Sequence, residues 1–178
     1  MSFKPFCLFL VMIAFASCLG DDKNNADTAR KTFTGKNYSI KYPPDWKLDT
    51  ARKEVDFFLF APMDLGSILF NENINMMVQP KQNGLPDSTD LQEYVSFSEN
   101  QIKESGGTLL SSYPMQDSTG EFYIFNYTAK FNGVLLRIIQ MVRMREGNAY
   151  LLTYTAPPQE RDPYKVIADR IFNSFTLK

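Results

Sequence analysis

Residues 121–156 read EFYIFNYTAKFNGVLLRIIQMVRMREGNAYLLTYTA, and this stretch decides the fold. Asn132-Gly133 lies between two long apolar runs, and both residues tolerate positive φ, so it predicts a two-residue hairpin turn. Glu121 to Phe131 and Val134 to Arg145 are the arms of that hairpin. Gly147-Asn148 predicts a second turn, with Ala149 to Ala156 running back. In this register Phe131 opposes Val134 and Tyr127 opposes Ile138. Around the second turn Arg145 opposes Tyr150, Arg143 opposes Leu152 and Met141 opposes Tyr154.

Side chains alternate across a strand, so the meander has two distinct faces. One carries Tyr123, Phe125, Tyr127, Phe131, Val134, Leu136, Ile138 and Val142, a core face. The other holds Phe122, Ile124, Leu135, Ile139, Met141, Leu152 and Tyr154, with Arg137, Arg143 and Arg145 among them. A solvated face would not carry so many large apolar groups. Cover on both sides is expected, most simply by helices flanking an antiparallel sheet. The alternative is that the second face is an open binding surface.

Upstream, Thr32 to Gly35 and Tyr38 to Tyr42 form a short hairpin, stopped by Pro43-Pro44. Val55 to Ala61 and Ile74 to Val78 read as strands, and Ile68 to Phe70 as a short edge piece. Leu91, Tyr94, Val95, Ser98 and Ile102 repeat at helical spacing, so Leu91 to Ser105 is a helix with Asp90 as cap and Gly106-Gly107 as stop. Thr108 to Tyr113 is a further strand. Asp162-Pro163 predicts the start of a last helix, with Tyr164, Ile167, Ala168, Ile171 and Phe172 as its apolar face.

This order of elements, with two motifs, resembles a known family. Tyr38-Ser39-Ile40-Lys41-Tyr42-Pro43-Pro44-Asp45-Trp46 resembles the F-x-I-x-Y-P-x-x-W opening of PsbP-like and DcrB-like domains. Ile171-Phe172-Asn173-Ser174-Phe175 resembles their closing I-x-x-S-F. The resemblance covers residues 32–178 and implies a single α+β domain, an antiparallel β-sheet flanked by helices in an α/β/α sandwich. It implies an accessory or interaction protein rather than an enzyme, by association of fold alone.

Before this domain the chain changes character. Lys4 precedes an unbroken apolar run from Phe6 to Ala16, so residues 1–17 read as a signal peptide, too short for a membrane span. Phe15-Ala16-Ser17-Cys18 resembles the lipobox of bacterial lipoproteins, with Phe where Leu is usual. That resemblance implies cleavage before Cys18 and acylation of its thiol; a plain secretory peptide cut elsewhere is the alternative. Cleavage removes Cys7 and leaves Cys18 as the sole cysteine, which acylation would use. Residues 18–31 then form a flexible tether. Asp21-Asp22 resembles the acidic surface-export signal of Bacteroidetes lipoproteins. The expected location is the cell envelope, lipid-anchored in the outer membrane, with the periplasmic and surface faces both open. Asp27-Thr28-Ala29, Asp49-Thr50-Ala51, Asp87-Ser88-Thr89 and Asp117-Ser118-Thr119 fit an O-glycosylation pattern of that phylum, although Asp, Ser and Thr also cluster in turns.

Composition narrows the chemistry. The 178 residues hold 19 Lys+Arg against 20 Asp+Glu and no His. Such a balance lacks the basic face that nucleic acid needs. Without His there is no Ser-His-Asp or Cys-His triad, no zincin motif and no His-ligated haem. Gly-rich phosphate loops and the G-x-S-x-G elbow are absent as well. No cofactor or metal is expected. Arg137, Arg143, Arg145, Phe122 and Tyr154 form a candidate binding surface, because Arg among aromatics anchors interfaces. The competing use is Arg stems lying over the sheet or pairing with carboxylates. Phe58 and Met77, with Phe57, Phe60 and Met76 nearby, form a candidate pocket for a small apolar ligand, against ordinary core packing. The functional expectation is a non-enzymatic envelope accessory module holding a partner protein. A lipid- or aromatic-binding lipoprotein is the alternative, with a hydrolase behind both.

Overall fold

The computed structural model describes residues 30–63, 70–80, 91–159 and 162–178. The signal peptide, Cys18, most of the tether, the Asp90 cap and the Ile68–Leu69 edge piece lie outside them. In chain order the elements are β1 (Lys31–Thr34), β2 (Tyr38–Tyr42), β3 (Lys47–Asp49), β4 (Phe57–Phe60), β5 (Asn73–Pro80), α1 (Leu91–Glu104), β6 (Thr108–Asp117), β7 (Gly120–Phe131), β8 (Val134–Arg145), β9 (Asn148–Ala156), α2 (Lys165–Asn173) and β10 (Thr176–Leu177). One antiparallel sheet runs β3-β4-β5-β9-β8-β7-β6 and a small one runs β1-β2-β10.

The meander is as expected, with one shift. Asn132 (φ 49) and Gly133 (φ 83) make the first turn, and Phe131 opposes Val134. The second turn is Glu146-Gly147 (φ 50 and 72), not Gly147-Asn148. Arg145 therefore opposes Asn148, Arg143 opposes Tyr150, Met141 opposes Leu152 and Ile139 opposes Tyr154. The correction is two residues. Because the side-chain period is two, every residue keeps its expected face.

Both faces carry a core. On one, Tyr94, Val95 and Ile102 of α1 pack on Phe125, Val142, Ala149 and Leu151. On the other, Ile171 and Phe172 of α2 join Ile40 and Trp46 over Phe57, Leu59, Ile74, Met76, Leu152 and Tyr154. That second cover is a helix plus the small sheet, rather than a helix alone. Phe131 and Val134, placed in the core by alternation, are exposed instead. Strand β4 is shorter than expected, β3 was not foreseen, and β6 continues through Pro114 to Asp117. Proline is tolerated there because β6 is an edge strand.

The family-like motifs make the corners. Tyr38 and Trp46 are almost fully buried, and Trp46 meets Tyr164 edge-on at 5.9 Å. The Ser174 hydroxyl accepts from the Lys41 backbone N–H at 2.9 Å and sits 2.7 Å from the Ile171 carbonyl. It thereby pins the end of α2 to β2. Gly106 (φ 79) and Gly107 end α1, donating to the carbonyls of Lys103 and Ile102 in a Schellman pattern. Helix α2 starts at Lys165, two residues beyond the expected Pro163. Asp162 still serves that terminus, accepting from the Tyr164 backbone N–H at 2.9 Å. Thr50 and Ser118 sit exposed in turns closed by Asp49 and Asp117, while the other two Asp-Ser/Thr tripeptides lie outside the described residues.

Candidate functional site

The cover on the second face ends at α2. Beyond it β6, β7 and β8 continue, and a cleft of about 480 Å³ opens between their surface and the helix. Its floor is Phe122, Ile124, Ile139 and Met141, all on one face by the observed register. Tyr113 and Met115 stand at the β6 rim, each nearly half exposed. Phe172, Lys165 and Asp169 form the helix wall. Lys165 and Asp169 pair with each other one helical turn apart, at 2.6 Å.

Arg137 lies at one end of the cleft, where its Nε donates to Asn126 Oδ1 at 3.0 Å. That is its one hydrogen bond among the described residues, which leaves the guanidinium's terminal amino groups for a carboxylate or carbonyl. An apolar floor with a few polar groups at its margin is the usual form of a recognition site.

The other members of the candidate surface are placed differently. Arg143 is buried, lies 4.0 Å over the Phe122 ring and binds Asp117 and Thr119 through its terminal nitrogens. Phe122 and Tyr154 are themselves core residues. The Tyr154 hydroxyl donates to Asp162 at 2.8 Å, and burial raises its pKa, with the bond to Asp162 adding to the rise. Arg145 is exposed beside Glu146, at 4.0 Å. The five residues share a face but not one open surface. Arg137 and Phe122 reach the cleft, Arg143 backs it, and Tyr154 and Arg145 do not line it.

Phe58 and Met77 fall on the α1 side of the sheet. Phe58 stacks on Phe60 at 5.5 Å beneath Arg52, and Met77 packs against the α1 core cluster. They occupy packing roles there and line neither this cleft nor the second one. The second cleft, about 330 Å³, is bordered by Asn37, Tyr38, Asp56 and Tyr150. Its polar groups pair internally, Tyr38 with Asp56 at 2.9 Å and Asn37 with Tyr150 at 3.4 Å. Among the described residues no group of three or more Cys, Asp or Glu is placed to hold a metal.

Sequence reading missed Tyr113, Met115 and Asn126. The signal for the first two was present: large side chains at alternate positions around Pro114 extend the strand and point it to one side.

No protein-family model matches the chain, and no curated protein matches it. Solved structures do. Cyanobacterial PsbP from Synechocystis sp. PCC 6803 is 15% identical, with a TM-score of 0.59 over 84% of this chain and 93% of that one. LpqN of Mycobacterium tuberculosis, involved in cell envelope biogenesis, is 14% identical, with a TM-score of 0.62 over 85% and 93%. PA94 of Pseudomonas aeruginosa, of unknown function, is 11% identical, with a TM-score of 0.59 over 84% and 97%. At these identities the likeness is one of fold: the chain folds as a single PsbP-like α+β domain.

Proposed function

We propose that this chain is a non-enzymatic accessory module of the bacterial cell envelope, anchored by acylated Cys18, that holds a partner protein in the cleft beside α2. The observation that carries the reading is the apolar cleft over β6–β8, its floor half-buried at Ile124 and Ile139, rimmed by exposed Tyr113 and Met115 and closed at one end by Arg137. Such a patch on an otherwise polar rim marks an interaction site. The fold likeness to LpqN, an envelope-biogenesis protein, supports the location. Among the described residues no helix is long and apolar enough to cross a membrane. In this reading attachment comes from Cys18.

The test is cross-linked capture in intact cells of the native host, comparing the native chain with the double variant Tyr113→Asp, Met115→Asp. Both positions are exposed, so the fold tolerates the change. Losing two apolar anchors of about 1.5 kcal/mol each predicts at least a tenfold drop in capture of one specific partner. Undiminished capture would refute the site. Capture that survives Cys18→Ala undiminished would refute the anchor's part in it.

A second reading rests on the cleft's size. About 480 Å³ lies within the range of small-molecule sites. A small apolar or aromatic ligand with an anionic group would fit the floor and Arg137. Native mass spectrometry of the host-purified protein distinguishes the two, since a small ligand adds a small discrete mass and a retained protein partner a far larger one.

A further inference from the structure

The β7–β8 hairpin outruns the sheet that carries it. The last β9 residue, Ala156, pairs with Arg137, and the first β6 residue, Thr108, pairs with Thr128. Beyond those rungs Ala129–Leu136, Lys130–Leu135 and Phe131–Val134 pair only with each other. Leu136 is only 2% exposed and so still covered, which leaves Lys130–Leu135 and Phe131–Val134 as two free rungs, an overhang of about 7 Å. A lone two-stranded ribbon is marginal in water. This one nevertheless exposes Phe131 at 55%, Leu135 at 44% and Val134 at 36%.

Two features identify what covers it. The apolar groups lie on both faces, Phe131 and Val134 on one and Leu135 on the other. A groove on a protein would take one face, whereas a bilayer surrounds the tip. Charge agrees: from Tyr127 to Ile138 the ribbon holds Lys130 and Arg137 and no carboxylate, which suits anionic headgroups. At the opposite end of the sheet Asp117 and Glu146 stand beside Arg143 and Arg145, so the two signs are mixed there.

The chain also enters from the hairpin's end. Lys31 pairs with Tyr42 and its Nζ donates to the Pro44 carbonyl at 3.1 Å. Lys47 follows on the rung that runs through Phe60, Asn73, Thr155 and Ile138 to Tyr127, at the root of the overhang.

We infer that the β7–β8 tip is a lipid-inserting finger. Phe131, Val134 and Leu135 enter the interface of the membrane that holds the N-terminus, to about the 5–10 Å depth of interfacial elements. Delivery to the bilayer rests on the acylated-Cys18 reading; insertion is a property of the finger. Docked this way, the Arg137 end of the cleft faces the headgroups.

The test uses the chain beginning at Cys18, its sole cysteine, coupled there to a maleimide phospholipid in phosphatidylethanolamine/phosphatidylglycerol vesicles. A tryptophan reporter is placed by Phe131→Trp or, as control at the opposite end of β7, by Ser118→Trp; buried Trp46 is the common background. Brominated lipids should quench the Phe131→Trp reporter at least twofold and shift its emission to the blue, and leave the Ser118→Trp reporter unchanged. Equal quenching of both, or quenching of neither, overturns the finger. Because the anchor is supplied chemically, the outcome is independent of native acylation. Intact mass of Cys18 peptides from the host tests acylation separately.

Discussion

Arg143 and Asp117 are locked together across the β6–β7 turn, a buried cation held by a carboxylate that is two-fifths exposed. Two terminal nitrogens of the guanidinium reach Asp117, and Thr119 accepts a further bond at 2.8 Å. The Phe122 ring lies beneath at 4.0 Å. Asp117→Asn leaves a buried charge without an ionised partner and should cost about 1–2 kcal/mol, reduced from the fully buried case by the solvent at Asp117. Arg143→Glu sets two carboxylates face to face and should cost more. Urea unfolding measures both. Any loss of partner capture by Arg143→Glu would therefore report unfolding, which is why the cleft test uses the β6 rim.

The same pair has an acid signature. The hydrogen bond from Arg143 holds the Asp117 carboxyl well below its ordinary value of 3.8, with Thr119 helping and burial opposing. A depressed carboxylate contributes its stability above the unfolded value and loses it as pH falls. The stability gap between native chain and Asp117→Asn should hold at neutral pH and close progressively below about pH 4. A gap independent of pH would contradict the pairing.

Alkaline unfolding is expected from buried phenols. Burial pushes Tyr94 up to about 12, while its hydroxyl donates to Gln79 at 3.0 Å. Burial raises Tyr38 and Tyr154 as well, with hydrogen bonds to Asp56 and Asp162 adding to it. A raised acid favours the neutral form in the fold. That stability is complete below the unfolded value near 10 and is lost as pH climbs from about 10 toward 12. Phenolate absorbance from these groups should rise together with loss of near-ultraviolet circular dichroism. Their ionisation with the fold intact would show that they are not buried as described.

Glu146 stands at φ 50, where a longer side chain costs more than Asn or Gly. Its ion pair with Arg145 is stretched to 4.0 Å and exposed, so it contributes little. Glu146→Asn converts the turn to Asn-Gly and should stabilise by about 0.5–1 kcal/mol. The urea midpoint should move upward without a change in slope; a downward shift would count against the turn.

Ser174 links two elements far apart in sequence, since it contacts the Lys41 backbone N–H at 2.9 Å and its carbonyl at 3.1 Å. Ser174→Ala should cost about 1 kcal/mol, water recovering part of the loss at exposed Lys41. Hydrogen exchange at the Lys41 amide should accelerate. Unchanged protection would show that the hydroxyl does not hold β2.

How much was legible depends on how local the cause is. Asn132-Gly133 announced its turn because two residues alone set the backbone. The faces of the meander survived a two-residue error at Glu146-Gly147, because alternation has period two and is blind to such a slip. The corners at Tyr38–Trp46 and at Ser174–Phe175 were readable as motifs, while the bonds that explain them were not. The role of Arg143 was not legible, since strand parity says which face a side chain takes and nothing about whether that spot is covered. Phe131 and Val134 were assigned to the core on the same ground and proved exposed.

The sequence by itself determined the β-meander and the two-faced hydrophobic pattern, because each follows from neighbours within a few residues. Only the tertiary structure decided where β6 and β9 stop relative to the β7–β8 hairpin, and how far α2 reaches across the sheet. Those two lengths leave the cleft beside Arg137 open and the Phe131 tip bare. They are set by packing between elements distant in the chain, where no local periodicity reports the outcome.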